Sequence, residues 1–247
     1  MNSFIKMIWM EFKLFLREPI GAFFTLVFPL MMLFLFGSIY GNEPTDFFNG
    51  YGSVDISVPA YTAMIIATTG LMSLTITMAT YRENGVLRRL GTTPVSSLMV
   101  LSAQVVVLLL MTAIGMFFLV VAGKLVYQMR FEGNILNIFG GFVLGCMSFF
   151  SIGFVLAGLM PNARTAQIVG MVLLYPMLFL SGAGLPRELL PEAIKRVSTF
   201  LPLTYVVNLL RGLWIGESWS QHMTDVWILL AILVVGIFIS VKTFRWE

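Results

Sequence analysis

Residues 56–81 read ISVPAYTAMIIATTGLMSLTITMATY, and no charged side chain interrupts them. About 20 apolar residues are enough for a helix to cross the hydrocarbon core of a bilayer. The whole chain has the same character, since 58% of its 247 residues are hydrophobic and only 11% are charged. Soluble domains carry about 25% charged residues. The stretch therefore predicts a transmembrane helix, and the composition predicts an integral membrane protein.

Five more windows free of charge lie on either side of this one. They are residues 19–42, 90–123, 133–163, 165–186 and 226–241. We expect an all-α protein with a single membrane domain, residues 1–247, and six spans. Their predicted bounds are 20–41, 58–81, 97–123, 136–160, 165–183 and 224–243. A shorter apolar stretch, residues 197–210, contains Pro202, which favours a re-entrant segment between spans 5 and 6 over a seventh span.

Lys and Arg are unequally divided between the two sides that six spans define. The side that carries both termini has the larger share. Its bases are Lys6, Lys13, Arg17, Arg82, Arg88, Arg89, Arg164, Lys242 and Arg245, and those of the other side are Lys124, Arg130, Arg187, Lys195, Arg196 and Arg211. Positive residues favour the cytoplasmic side. We therefore expect a multi-pass protein of the cell membrane with both termini in the cytoplasm.

Residues 1–19 predict an amphipathic helix at the membrane surface. At 100° per residue, Lys6, Lys13 and Arg17 fall in one stripe. The opposing apolar arc consists of Phe4, Ile5, Ile8, Phe12, Phe15 and Leu16. Such a helix lies in the headgroup layer, with its bases toward anionic lipid and its apolar face in the acyl boundary. Two roles remain open for it, a simple anchor before span 1 and a mechanical element.

Residues 82–96 connect spans 2 and 3 and predict a short helix. Glu83 near its start and Arg88 and Arg89 near its end suit the helix dipole, and Pro94 forbids its continuation. About two helical turns are only marginally stable alone in water. We therefore expect this helix, from Glu83 to Leu90, to pack on its own bundle or on a partner protein. Alternatively, the bases of this segment only set the orientation of the protein in the membrane.

Two further patterns concern the opposite side and span 4. Residues 189–197 place apolar and charged side chains at helical spacing, which predicts an amphipathic surface helix ahead of the re-entrant segment, with Arg211 placed to reach outward. In span 4, Gly141 and Gly145 form a G-x-x-x-G pattern that permits close helix packing. Packing within the chain and contact between two copies both remain open for these glycines.

Several functional classes are disfavoured by the sequence. It contains no G-x-x-x-x-G-K-[ST] phosphate loop. The single cysteine, Cys146, excludes a disulfide framework, and the single histidine, His222, lies outside the uncharged windows, where a satisfied interfacial residue is the usual role. Proteins that couple transport to protons usually carry an ionisable side chain within a span, and the six windows are free of charge. We therefore expect no catalytic or metal site, no cofactor bound by this chain and no nucleic-acid partner.

The chain resembles the type-2 ABC exporter permeases, the ABC-2 transmembrane domain family, over nearly its whole length. Two motifs carry the resemblance. The first runs from Glu83 and Gly85 through residues 87–90 to Thr93-Pro94. The second is the stretch 201–205, Leu-Pro-Leu-Thr-Tyr, followed by Arg211 ahead of the last span. In that family the N-terminal helix is the connecting elbow, and the segment after span 2 is the coupling helix.

The resemblance also implies a function and partners. The chain would form a permease dimer with a second copy or a paralogue, and it would recruit a separate ATP-binding subunit that binds ATP and Mg²⁺. The implied coupling residues are Glu83, Gly85, Val86, Leu87, Arg88, Arg89, Leu90, Thr93 and Pro94. Compact members of the family look most like exporters of drugs, antibiotics or lipid-like compounds, and others export polysaccharide or teichoic acid. A non-transporting membrane sensor or scaffold is the alternative from another class.

Overall fold

The computed structural model describes residues 3–48, 50–86, 89, 97–185 and 190–243. These residues are largely helical, and none of them lies in a β-strand. Numbered in chain order, the helices are α1 Ser3–Arg17, α2 Phe23–Tyr40, α3 Ser53–Glu83, α4 Ser97–Tyr127, α5 Ile135–Leu159, α6 Ala163–Leu180, α7 Glu192–Ser198, α8 Pro202–Trp214 and α9 Met223–Thr243. Six of them, α2 to α6 and α9, are long and apolar enough to cross a membrane. The predicted all-α architecture with six spans is confirmed.

The second span, α3, is the central helix of the bundle. Its residues from Ser53 to Thr75 are all buried, and α2, α4, α5, α6 and α8 pack around it. It starts five residues before the predicted bound of 58, because Asp55 belongs to its first turn. The Asp55 carboxylate accepts hydrogen bonds from the Gly52 N–H at 3.0 Å, from Asn42 Nδ2 at 2.9 Å and from the Arg130 N–H at 2.8 Å. These donors offset the cost of burying the charge.

Glycines set the closest helix contact in the core, where α3 crosses α5. A Cβ atom at Gly70 of α3 would lie 2.8 Å from the carbonyl oxygen of Phe149, and one at Gly153 of α5 would overlap the carbonyl oxygen of Gly70. Small residues at such a crossing let two backbones approach directly. Thr75 Oγ1 adds a hydrogen bond to the Gly153 carbonyl at 3.3 Å. The crossing therefore depends on the absence of side chains at both glycines.

Both termini lie at the same end of the bundle. The last span, α9, runs parallel to α5, because Ser148 Oγ donates to the Leu229 carbonyl at 2.9 Å and Ser151 Oγ to the Ile232 carbonyl at 3.4 Å. The first helix, α1, packs on the start of α4, which lies beside the end of α3. We call this side the terminal end and the other side the loop end.

Candidate functional site

The last two residues of α3 hold the connection between α5 and α6. Arg82 Nη1 donates to the Gly158 carbonyl at 3.1 Å, at the end of α5. The Glu83 carboxylate accepts the Ala163 N–H at 3.0 Å, at the first residue of α6. Helix ends leave carbonyls and N–H groups without partners inside the helix, so a base and an acid suit these two ends. The end of α3 is therefore tied to α5 and α6 by one hydrogen bond each.

A break in the helix at Asn84 and Gly85 redirects the chain directly after this pair. Gly85 has a φ of +64°, which a residue with a side chain rarely adopts. A new turn follows, in which the Arg89 N–H donates to the Gly85 carbonyl at 3.1 Å and Arg89 Nη2 donates to the Asn84 carbonyl at 2.9 Å. The sequence pattern predicts a short helix that starts at Glu83. The structure instead assigns Glu83 to α3, because the left-handed Gly85 ends that helix.

The rest of the predicted coupling segment lies outside the described residues. Val86 and Arg89 are described and helical, with Arg89 exposed. The residues outside are Leu87, Arg88, Leu90, Thr93 and Pro94. Their assignment to a coupling helix stays a prediction.

The helix α1 has the predicted basic stripe but a different face toward the protein. Its bases Lys6, Lys13 and Arg17 are all exposed, and Lys13 Nζ lies 4.9 Å from the ring centroid of Trp9, which stacks on Phe12. From the predicted apolar arc, Ile5 and Leu16 are also exposed. The residues that α1 buries are Met7, Glu11 and Phe15. They are four positions apart, so they share one helix face.

The Leu-Pro-Leu-Thr-Tyr motif forms the corner between α7 and α8. Pro202 is the first residue of α8. A backbone N–H at this position would have no acceptor within the helix, so proline costs no hydrogen bond there. Thr204 Oγ1 donates to the Ser198 carbonyl at 2.6 Å, and the Tyr205 hydroxyl donates to the Thr199 carbonyl. Both carbonyls lie at the end of α7. The motif therefore caps α7 with two side chains from the first turn of α8.

The helix α8 then packs into the bundle against α5. A Cβ atom at Gly141 would lie 2.8 Å from Leu213 Cδ1, and one at Gly145 would lie 3.1 Å from Val206 Cγ1. The G-x-x-x-G pattern therefore makes its contact within the chain. Arg211 of α8 lines a cavity of about 230 Å³ together with Asp55 and other residues of the loop end.

A family model described as ABC-2 type transporter matches residues 2–215 of the chain. The chain belongs to the ABC-2 type transporter family. It is thus a membrane permease, and not the ATP-binding subunit of such a transporter. The two motifs on which the sequence analysis based its resemblance both lie within the matched range.

Individual relatives of this permease cover different shares of it. The putative transport permease ycf38 of Cyanophora paradoxa is 26% identical over 221 residues, which are 87% of this chain and 74% of that protein. The probable multidrug ABC transporter permease YbhR of Escherichia coli (strain K12) is 24% identical over 177 residues, 71% of this chain and 48% of that protein. Nodulation protein J of Rhizobium leguminosarum bv. viciae is 30% identical over 99 residues, 40% of this chain and 38% of that protein.

A cavity lined by polar side chains, which the sequence analysis missed, lies where α1 meets α3 and α4 of the permease. The Tyr81 hydroxyl donates to Glu11 Oε2 at 2.7 Å. Burial raises the pKa of Glu11 above its ordinary value, and the hydrogen bond from Tyr81 opposes that rise. Burial also raises the pKa of Glu18. One signal was available in the sequence, since Glu11 has the helical spacing of the apolar residues Met7 and Phe15.

The single histidine of the permease has a partner at each ring nitrogen. His222 Nε2 lies 2.6 Å from Glu217 Oε2, and Nδ1 lies 3.0 Å from Asp225 Oδ2. Within the described ranges, no three His, Cys, Asp or Glu residues are grouped so as to hold a metal ion. Cys146 is buried in the core.

Proposed function

We propose that this permease moves a hydrophobic or amphipathic compound, such as a drug, an antibiotic or a lipid-like molecule, out of the cell. A separate subunit supplies the energy by binding ATP and Mg²⁺. The family match supports the export role. The relative named a probable multidrug transporter permease, which aligns with 71% of this chain, supports the cargo class.

One observation carries the coupling mechanism, namely the pair of hydrogen bonds from Arg82 and Glu83 to the α5–α6 connection. The ATP-binding subunit docks on the segment after Gly85. Movement of that subunit shifts the end of α3, and the two hydrogen bonds carry the shift to α5 and α6. Three of the six spans then respond to a force applied at one short segment.

The transport route lies between two permease copies. The described residues line cavities of about 270 Å³ and 230 Å³, at opposite ends of the bundle. Pockets that enclose a drug-sized compound have volumes of roughly 300–1,000 Å³. A second copy, or a paralogue, closes a larger space against the first. The family resemblance, which implies a permease dimer, supports this placement.

Export is tested with everted membrane vesicles that contain the permease and its ATP-binding subunit. The assay follows ATP-dependent uptake of a fluorescent amphiphile, with a labelled polysaccharide as the competing cargo. Uptake of the amphiphile alone supports the proposal. Uptake of the polysaccharide alone contradicts the cargo class, and binding of either compound without ATP-dependent movement points to a sensor.

Leu87→Asp is expected to abolish binding of the ATP-binding subunit. An unpaired carboxylate costs several kcal/mol when it is buried, so an apolar docking groove rejects it. The measurement is a pull-down of the subunit by the tagged permease. The matched variant Arg89→Ala should reduce binding much less, because a charge at the rim mainly changes association rates. Undiminished binding and normal export by the Leu87→Asp permease would contradict the docking assignment.

Both termini face the cytoplasm in this proposal. A cysteine placed at Asp46, in the loop between α2 and α3, should react with a membrane-impermeant maleimide in intact cells. A cysteine placed at Arg89 should react only after the cells are permeabilised. Both positions are exposed, and the native Cys146 is fully buried, so labelling reports on sidedness. The reverse pattern would show that the orientation is inverted.

A further inference from the structure

A cavity of about 270 Å³ opens between α1, α3 and α4 at the terminal end. Its polar lining includes Glu11, Glu18, Tyr81 and Gln104. The rest of the lining consists of Leu14, Phe15, Ile76, Thr77 and Thr80. Leu14 is 41% exposed, so the cavity reaches the outer surface of α1 next to this residue. The site therefore combines polar and apolar side chains.

Two acceptor side chains of the lining, Glu18 and Gln104, have an oxygen without a described donor. Tyr81 donates to one oxygen of Glu11. The Gln104 side chain is only 4% exposed, and its Oε1 atom is buried without a hydrogen-bond partner. In the part of the chain that the structure describes, the Glu18 carboxylate has no hydrogen-bond or ion-pair partner. A buried acceptor without a donor is costly, so the unpaired Gln104 Oε1 indicates a missing donor.

Two carboxylates beside the unpaired amide oxygen favour a donor that carries positive charge. Two carboxylates face one small space, and burial raises the pKa of each of them because a negative charge is poorly solvated there. A cation with several N–H groups satisfies both the charge and the acceptors. The bases of α1 do not fill this role, since Lys6, Lys13 and Arg17 are exposed.

We propose that this cavity binds a primary ammonium group carried by an amphiphile. The ammonium group donates to Glu11, Glu18 and Gln104. The attached chain leaves along the apolar residues and past Leu14 into the lipid. An ammonium group has three N–H donors, whereas a quaternary amine has none. A liquid water molecule takes about 30 Å³, so the cavity has room for a headgroup and not for a whole lipid.

Two sources supply this chemistry, the ethanolamine headgroup of a membrane lipid and a free amine-bearing amphiphile. The test uses the purified full-length permease in neutral detergent micelles, without an ATP-binding subunit. The probes are dodecylamine and dodecanol, which share a tail and differ in charge. We expect at least tenfold tighter binding of the amine, read from the rise in the thermal unfolding midpoint with probe concentration.

The variant Glu18→Gln removes a charge and breaks no hydrogen bond, so it should fold normally. It is expected to lower the preference for the amine to less than threefold, and Glu11→Gln/Glu18→Gln should abolish it. The matched control is Glu43→Gln, at an exposed carboxylate of the loop end, which should keep the full preference. Equal binding of the two probes by the unaltered permease would overturn the proposal, as would an undiminished preference in the double variant.

Added phospholipids then identify the source. Competition by phosphatidylethanolamine, but not by phosphatidylcholine, assigns the site to the lipid headgroup. Binding of dodecylamine that neither lipid reduces assigns the site to a free amphiphile. Equal competition by both lipids would contradict recognition of N–H donors. The assay needs no ATP-driven export, so its outcome is independent of the proposed transport function.

Discussion

Glu83→Ala is expected to reduce ATP-driven export at least tenfold while the ATP-binding subunit still binds and hydrolyses ATP. The substitution removes the carboxylate that accepts the Ala163 N–H at the start of α6. Loss of such a helix-end partner costs about 1 kcal/mol of stability, which leaves the fold intact. The movement of α3 is then no longer passed to α6. Uptake into everted vesicles and ATP hydrolysis, measured on the same preparation, report the two quantities separately.

The matched variant for this experiment is Glu83→Gln. Its side-chain carbonyl still accepts the Ala163 N–H, so it should keep most of the export. A similar loss in both variants would show that the charge matters and the hydrogen bond does not. Normal export by Glu83→Ala would contradict the role of Glu83 in linking α3 to α6.

Gly153→Ala is expected to destabilise the permease severely. The added Cβ atom overlaps the carbonyl oxygen of Gly70, and a backbone atom at the centre of a bundle cannot turn away. Overpacking costs roughly 1–3 kcal/mol, and we expect the upper value of about 3 kcal/mol here. For a soluble domain of this length, that corresponds to a fall of about 6–12 °C in the unfolding midpoint. The measurement is thermal unfolding in detergent followed by size-exclusion chromatography.

Gly123→Ala is the control for the glycine experiment. Its Cβ atom would lie 3.1 Å from the sulfur atom of Met129 and 3.2 Å from Val58 Cγ2, both side-chain atoms that need to give way by only a few tenths of an ångström. We expect a fall of less than about 4 °C, the effect of 1 kcal/mol. Equal falls in the two variants would mean that the contact between Gly70 and Gly153 is not tighter than an ordinary helix contact.

The sequence predicts the number of spans, because charged side chains are largely excluded from lipid and so mark where a span can end. Asp55 shows where that reasoning ends. It marked the edge of an uncharged window, yet it lies inside the first turn of α3, because Asn42 and the backbone of Arg130 satisfy its carboxylate. These partners lie 13 and 75 residues away along the chain, so no local sequence pattern predicts them.

The candidate sites divide in the same way, into features with a local sequence pattern and contacts that form only in the folded protein. The segment 82–96 and the stretch around Pro202 stand out by their own patterns, and the family resemblance adds the coupling role, which stays a prediction. The contacts of Arg82 and Glu83 were not found, because the Gly158 carbonyl and the Ala163 N–H become neighbours only when α3, α5 and α6 pack together. The cavity beside α1 was missed for the same reason, since Gln104 belongs to another helix than Glu11.

The short helix α8 constrains how the permease is built during synthesis. At 1.5 Å per residue its 13 residues extend about 20 Å, too short for insertion as a span of its own. Its backbone reaches its place only after α5 offers the surface around Gly141 and Gly145. We therefore expect α8 to enter the bundle from the loop end once α5 is in place. A permease in which that step fails would hold all its spans yet leave the apolar face of α8 uncovered.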